Sequence, residues 1–296
     1  MTGVTGNSEP PPMPAGRVPA AVGVLGGGRM GAGIAHAFLC AGSGVSLAEA
    51  TEPASQAAQR RVTEALQASH ARGKLSTSPE EALSRLSLGV GPQHVAGCQL
   101  VVEAVPEDPA LKASLLAAVE RVVDERATIA TNTSSLSIDE LSAVLARPHR
   151  FLGLHFFNPV PASELVEVVV GSATSAELVQ DARAWVAALG KTPVVVRDSP
   201  GFASSRLGLT LGLEAIRMVS EGVASVEDID SAMVLGYKHP IGPLRLTDLV
   251  GLDVRLAIAE YLAARLGERF EPPDLLRQKV AAGELGRKSG QGFYSW

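Results

Sequence analysis

The sequence predicts an α/β protein in two parts: a doubly wound, mainly parallel sheet, then an all-helical region. Three observations carry that expectation. Short apolar runs alternate with amphipathic stretches up to about residue 200, a glycine cluster stands at the first strand-to-helix junction, and no strand-like run follows Pro200-Gly201.

The elements follow in order. Ala21–Leu25 is a short apolar run, a glycine cluster succeeds it, a helical stretch runs through Cys40, and a second strand covers 45–48, so the chain opens on a β-α-β unit. Further strands are expected at 100–104, 128–131, 151–155, 166–170 and 193–196, with amphipathic helices between most of them. Beyond residue 200 the signals are those of helices. Ser225 with Asp228 reads as a capping box, Gly236 as a stop, and Pro243 as a first-turn residue. The stretch 207–219 is apolar over more than one face and must be covered all round, by its own domain or by a second copy of it; a homodimer is the expectation. The expected division is a Pro-rich disordered tail over 1–19, a sheet domain over 20–199 and a helical substrate and dimerisation domain over 200–296.

Composition excludes several classes. The 296 residues are 46% hydrophobic, enough for two cores, and a net charge of -5 disfavours nucleic acid as a partner. Cys40 and Cys98 lack the Cys/His spacing that holds zinc, so no metal is expected and both read as small buried apolar residues. Residues 1–19 show no secretory pattern, and no long apolar run occurs. A cytoplasmic protein without membrane contact is the expectation.

Gly26-Gly27-Gly28-Arg29-Met30-Gly31 fits G-x-G-x-x-G between a strand and a helix, the context that makes this pattern a Rossmann dinucleotide turn. Gly26 allows the tight turn, Gly28 admits a pyrophosphate, and Gly31 lets helix and strand pack closely. Glu49, 18 residues beyond Gly31, ends the second strand, where a carboxylate accepts from the adenosine ribose hydroxyls and repels a 2′-phosphate. NAD is the expected cofactor; Arg29 is the nearby cation that would offset the repulsion.

Ser134, His155 and Glu167 stand at strand ends on the nucleotide side. An oxidised nicotinamide takes a hydride from carbon, so the alcohol proton needs a base, and histidine suits that task. Glu167 would hold its far ring nitrogen. The three residue types also match a serine hydrolase triad, but no G-x-S-x-G elbow surrounds Ser134, and a hydrolase has no use for the dinucleotide turn.

With these motifs in place, the chain resembles the L-3-hydroxyacyl-CoA dehydrogenases, including the bacterial 3-hydroxybutyryl-CoA dehydrogenases, over 21–296. The matching blocks are Gly26 to Gly31, Val101-Val102-Glu103-Ala104 with Glu107 and Lys112, Asn132-Thr133-Ser134-Ser135-Leu136, and Gly153-Leu154-His155-Phe156-Phe157-Asn158-Pro159. In the second half they are Asp198-Ser199-Pro200-Gly201-Phe202, Gly242-Pro243, Asp248 to Asp253 and Gly290-Gln291-Gly292-Phe293-Tyr294.

The resemblance implies that His155 and Glu167 are the catalytic pair, with Ser134 and Asn158 lining the site of the substrate oxygens. It also implies that Glu107, Lys112 and Asn132, together with Arg29 and Met30 of the turn, lie along the cofactor. The implied reaction is the NAD-dependent oxidation of a short (S)-3-hydroxyacyl-CoA such as 3-hydroxybutyryl-CoA, part of fatty-acid β-oxidation. Ser205 departs from the asparagine usual before Arg206-Leu207 and bears on substrate choice; Glu49 replaces the commoner aspartate and keeps its charge. Two alternatives are a relative acting on a carrier-bound or free 3-hydroxy acid, and a non-catalytic cofactor-binding protein.

Overall fold

The computed structural model describes residues 18–296. Residues 1–17, most of the segment read as a disordered tail, lie outside the described residues. Pro19, the last residue of that segment, is buried, and its carbonyl accepts from Ser43 Oγ at 2.7 Å.

The chain divides into two compact units: the residues up to Thr133 with Ile138–Arg197, and Ser134–Ser137 with Asp198–Trp296. Thus Ser134 through Ser137, expected within the sheet domain, group with the helical residues.

The first unit contains β1 (Ala21–Leu25), α1 (Arg29–Cys40), β2 (Gly44–Glu49), α2 (Glu52–Ala71), α3 (Pro79–Leu83), β3 (Leu86–Val90), β4 (Leu100–Glu103), α4 (Pro109–Glu120), β5 (Thr128–Thr131), α5 (Ile138–Ser142), β6 (Phe151–Phe156), β7 (Leu165–Val170), α6 (Ala176–Ala188) and β8 (Thr192–Arg197). They build one eight-stranded sheet of order β3-β2-β1-β4-β5-β6-β7-β8. All pairings are parallel except β6 with β7. The chain reverses its direction of travel across the sheet between β1 and β4, which is where such folds leave a crevice at the carboxyl ends of the strands.

Local sequence explains the layers. The central strands are buried on both faces, as the consecutive residues Leu100, Val101 and Val102 and the pair Ile129 and Ala130 show, and read as continuous apolar runs. In α2, Ser55, Ala58, Val62, Leu66 and Ser69 recur every three or four residues and form its buried stripe. Thr51 caps this helix by accepting from the Ala54 N–H. In α1, by contrast, everything from Gly31 to Leu39 is buried, including His36, whose Nε2 lies 2.8 Å from Ser69 Oγ on α2. Burial holds the His36 imidazole down at about 4, with the Lys191 charge adding to the effect. Cys98 is buried as expected; Cys40 is only half-buried, its Sγ 3.4 Å from His36 Nε2. Burial raises both thiols above their ordinary value.

The second unit contains α7 (Ser204–Ser220), α8 (Val226–Ser231), α9 (Pro243–Val250), α10 (Leu252–Leu266) and α11 (Asp274–Ala281), and a single π-turn, Ala232–Gly236, continues α8. Ser225 caps α8 from the Asp228 N–H, and Pro243 opens α9. Among the described residues, this half has only isolated bridges in place of strands. Leu209, Leu213, Ile216, Leu244, Leu252 and Leu262 form its core.

Two buried aspartates fasten the C-terminal segment to that core. Asp248 accepts from the Phe293 and Tyr294 N–H groups and from Trp296 Nε1, at 2.8 to 2.9 Å. Asp230 accepts from the Leu244 and Arg245 N–H groups at the start of α9 and from Tyr294 Oη. These contacts leave no room for a Cβ at Gly242, which would sit 2.1 Å from Asp230 Cγ, or at Gly292, 2.4 Å from Asp248 Oδ1. Arg245 then lies over the rings of Tyr294 and Trp296.

Candidate active site

The turn after β1 has the geometry that its glycines call for. Gly26 takes φ +85, the left-handed region, and its N–H donates to the Ala48 carbonyl at 2.9 Å. A Cβ on Gly31 would stand 1.7 Å from the Gly26 carbonyl oxygen, so no other residue lets α1 start so close to the turn. At Gly28 a Cβ would meet nothing within 4 Å and would project into the open space before the helix N-terminus. Arg29 is exposed beside it and Met30 half-buried. This is a cradle a side chain would fill, beside unpaired N–H groups, and it fits a pyrophosphate.

Glu49, at the carboxyl end of β2, reaches back to this turn: its Oε1 accepts from the Gly27 N–H at 2.6 Å, and Oε2 from the Ala50 N–H at 3.3 Å. Arg61 of α2 donates to the Gly27 carbonyl at 3.1 Å. Nothing in the sequence singled out Arg61, one of several cations on an amphipathic helix.

His155 and Glu167 are brought together. They face each other in the antiparallel pairing of β6 and β7, and His155 Nδ1 lies 2.8 Å from Glu167 Oε2, with both residues buried. His155 stands near the carboxyl end of β6, whereas Glu167 reaches the same edge by another route. Glu167 is the third residue of a reversed strand, and reversal brings that amino-terminal part of β7 to the edge where β6 ends. The Phe157 ring packs against the imidazole, 4.4 Å between centroids.

The other expected residues occupy varied positions. Asn132 Oδ1 accepts from the Phe156 N–H at 2.8 Å, joining the end of β5 to the end of β6. Lys112 is buried, its ammonium 2.7 Å from Glu103 Oε1 and 3.3 Å from Glu107 Oε2. Asn158 is exposed just beyond β6. Ser134 and Ser205 belong to the second unit, both half-buried, Ser205 in the first turn of α7. In the sequence Glu103 stands out only as part of the Val101-to-Ala104 block. A carboxylate ending an otherwise apolar buried strand, with a lysine on the next helix, was the signal to follow.

Comparison with known proteins finds a family for both parts of the chain. Residues 21–199 match the model of the 3-hydroxyacyl-CoA dehydrogenase NAD binding domain, and residues 201–296 that of the 3-hydroxyacyl-CoA dehydrogenase C-terminal domain. A probable 3-hydroxybutyryl-CoA dehydrogenase of Deinococcus radiodurans is 42% identical over 93% of this chain and 99% of its own length. A 3-hydroxybutyryl-CoA dehydrogenase of Mycobacterium tuberculosis is 42% identical over 93% of this chain and 98% of its own. The crystal structure of an (S)-3-hydroxybutyryl-CoA dehydrogenase from Ralstonia eutropha superposes with a TM-score of 0.89 at 40% identity, covering 94% of this chain and 99% of that one. With both halves matched by its models, the chain belongs to the 3-hydroxyacyl-CoA dehydrogenase family, whose first domain binds NAD.

Proposed function

We propose that this NAD-dependent oxidoreductase oxidises the 3-hydroxyl of a short (S)-3-hydroxyacyl-CoA to the 3-oxoacyl-CoA, and runs the reverse reduction, with His155 as general base. The observation that carries the reading is the buried His155–Glu167 pair on the sheet edge that also bears the glycine turn. Gly26, Gly28 and Gly31 with Arg29 and Met30 would hold the pyrophosphate half of NAD. Glu49 would take the adenosine ribose, and Glu107, Lys112 and Asn132 would lie along the nicotinamide half. When bound, the oxidised nicotinamide supplies the hydride acceptor.

The chain's own residues manage the proton. With Nδ1 committed to Glu167, His155 takes the hydroxyl proton at Nε2 as the C3 hydride departs, and the carboxylate stabilises the imidazolium that results. Burial of both side chains strengthens that ion pair by excluding solvent. Ser134 and Asn158 are assigned to the substrate oxygens. The helical domain is assigned to the acyl pocket and to pairing two copies, because α7 leaves Leu207 67% and Leu211 42% exposed. Among the described residues no helix is long and apolar enough to cross a membrane, and the cytoplasm is the proposed location.

The test is NADH absorbance across 3-hydroxyacyl-CoA chain lengths, run beside free 3-hydroxy acids. We expect His155→Ala to bind NADH normally and lose turnover by at least about 100-fold. Undiminished turnover would remove His155 from the mechanism. Preference for the free acids would instead favour the second reading, to which Ser205, in the place of the family's usual asparagine, gives its support.

A further inference from the structure

The loop after β4 and the loop after β5 are joined by a closed ring of hydrogen bonds and one ion pair. Glu103, the last residue of β4, is wholly buried. Its Oε1 accepts from Lys112 Nζ and from the Val105 N–H, each at 2.7 Å, and its Oε2 accepts from Thr131 Oγ1 at 2.6 Å. Lys112, equally buried, reaches on to Glu107 Oε2; Glu107 Oε1 accepts from Thr133 Oγ1 at 2.5 Å. The Thr133 N–H donates back to Thr131 Oγ1 at 3.3 Å, and the ring is closed.

The ring touches both halves of the site. Val105 is clamped twice, since its N–H goes to Glu103 and its carbonyl accepts from Lys112 Nζ at 3.2 Å. That same peptide walls the dinucleotide turn: a Cβ at Gly26 would stand 2.9 Å from the Ala104 carbonyl oxygen and 3.1 Å from Val105 Cγ1. On the other side, Asn132 lies between Thr131 and Thr133 and holds the Phe156 N–H, next to His155. The ring is sealed at Glu103 and opens to solvent only at Glu107, whose side chain is 37% exposed.

Fold stability does not require such a pair, because a buried ion pair is often matched or bettered by apolar residues of similar volume. What charge-assisted bonds add is fixed direction. We propose that Glu103 is a positioning residue: it meets no ligand, yet through Lys112, Val105 and Thr131 it sets the wall of the glycine turn and the Asn132–Thr133 segment, and so sets the affinity for NAD. The inference rests on the dehydrogenase reading of this edge.

The test uses the full chain, with NADH fluorescence titration and steady-state kinetics on Glu103→Gln and Thr131→Val. The glutamine keeps the shape, removes the charge, and turns an N–H toward one of three donors. It should raise Kd for NADH and KM for NAD about ten-fold, while kcat at saturation stays within about three-fold and the midpoint of its pH profile does not move. Thr131→Val removes one donor and should weaken NADH binding about three-fold. A carboxylate that only held the fold together would lower the thermal midpoint without this split between KM and kcat. NADH affinity within about two-fold of wild type in both variants, with native near-ultraviolet circular dichroism, overturns the proposal. Should Glu103→Gln not fold, Thr131→Val decides by the same criterion. Failure of the wild-type chain to bind NADH would count against the dehydrogenase reading instead.

Discussion

Carboxylates close to the open edge of the sheet unit and those in the helical unit are put to different uses. In the sheet unit, Glu49 accepts from the Gly27 and Ala50 N–H groups and Glu167 meets an imidazole nitrogen, both close to the open edge, while Glu103 behind them gathers three donors. In the helical unit, Asp230 and Asp248 are buried and each gathers three donors, closing the C-terminal segment onto its own core. Both halves carry equally distinctive sequence blocks. A motif therefore marks a place where few residues fit, and only the surrounding structure tells whether a ligand or the chain itself imposes the limit.

The contrast can be broken most forcefully at Asp248. Asp248→Ala leaves two part-buried N–H groups and the Trp296 indole without their acceptor, and we expect a loss of about 3 kcal/mol in chemical denaturation. A variant with wild-type stability and impaired turnover would mean that the clasp serves chemistry after all.

Acid should single out the sheet unit next. The folded His36 imidazole titrates at about 4, below its ordinary 6.5, so the proton favours the unfolded chain. The stability this gives is complete above pH 6.5 and is lost as pH falls toward 4, by up to about 3 kcal/mol. His36→Gln should flatten that part of the stability profile. An equal slope in the variant would show that other groups drive the acid response.

The smallest effect on folding is expected on the exposed face of α7. Leu207→Glu should shift the unfolding free energy by less than about 0.5 kcal/mol, yet reduce the mass seen by light scattering to that of a single chain. A mass unchanged from wild type would show that this face does not pair copies.

Much of this was legible in the residues. Seven of the eight strands lie within a residue or two of where the sequence places them, because each is a short apolar run between breakers. β3 was missed: Leu86–Val90 is an edge strand, half-exposed, with Gly89 placed where the His94 ring lies against it. The Gly26-to-Gly31 turn was legible because strain and close approach leave glycine as the one solution. The Glu103 ring and the aspartate clasps were not, because hydrogen bonds between residues 28 or 46 positions apart leave no periodic trace. The reversal at β7 leaves no mark in the sequence either, since an apolar strand looks the same in either direction.

The short bond between Glu49 and the Gly27 N–H constrains the re-engineering of cofactor choice. To accept a phosphorylated adenosine, the natural change is to neutralise Glu49, but that would also strip the loop of a strut. A designer would have to supply a substitute acceptor for Gly27, from a serine or asparagine at the same position, before any added arginine could be judged on its merits.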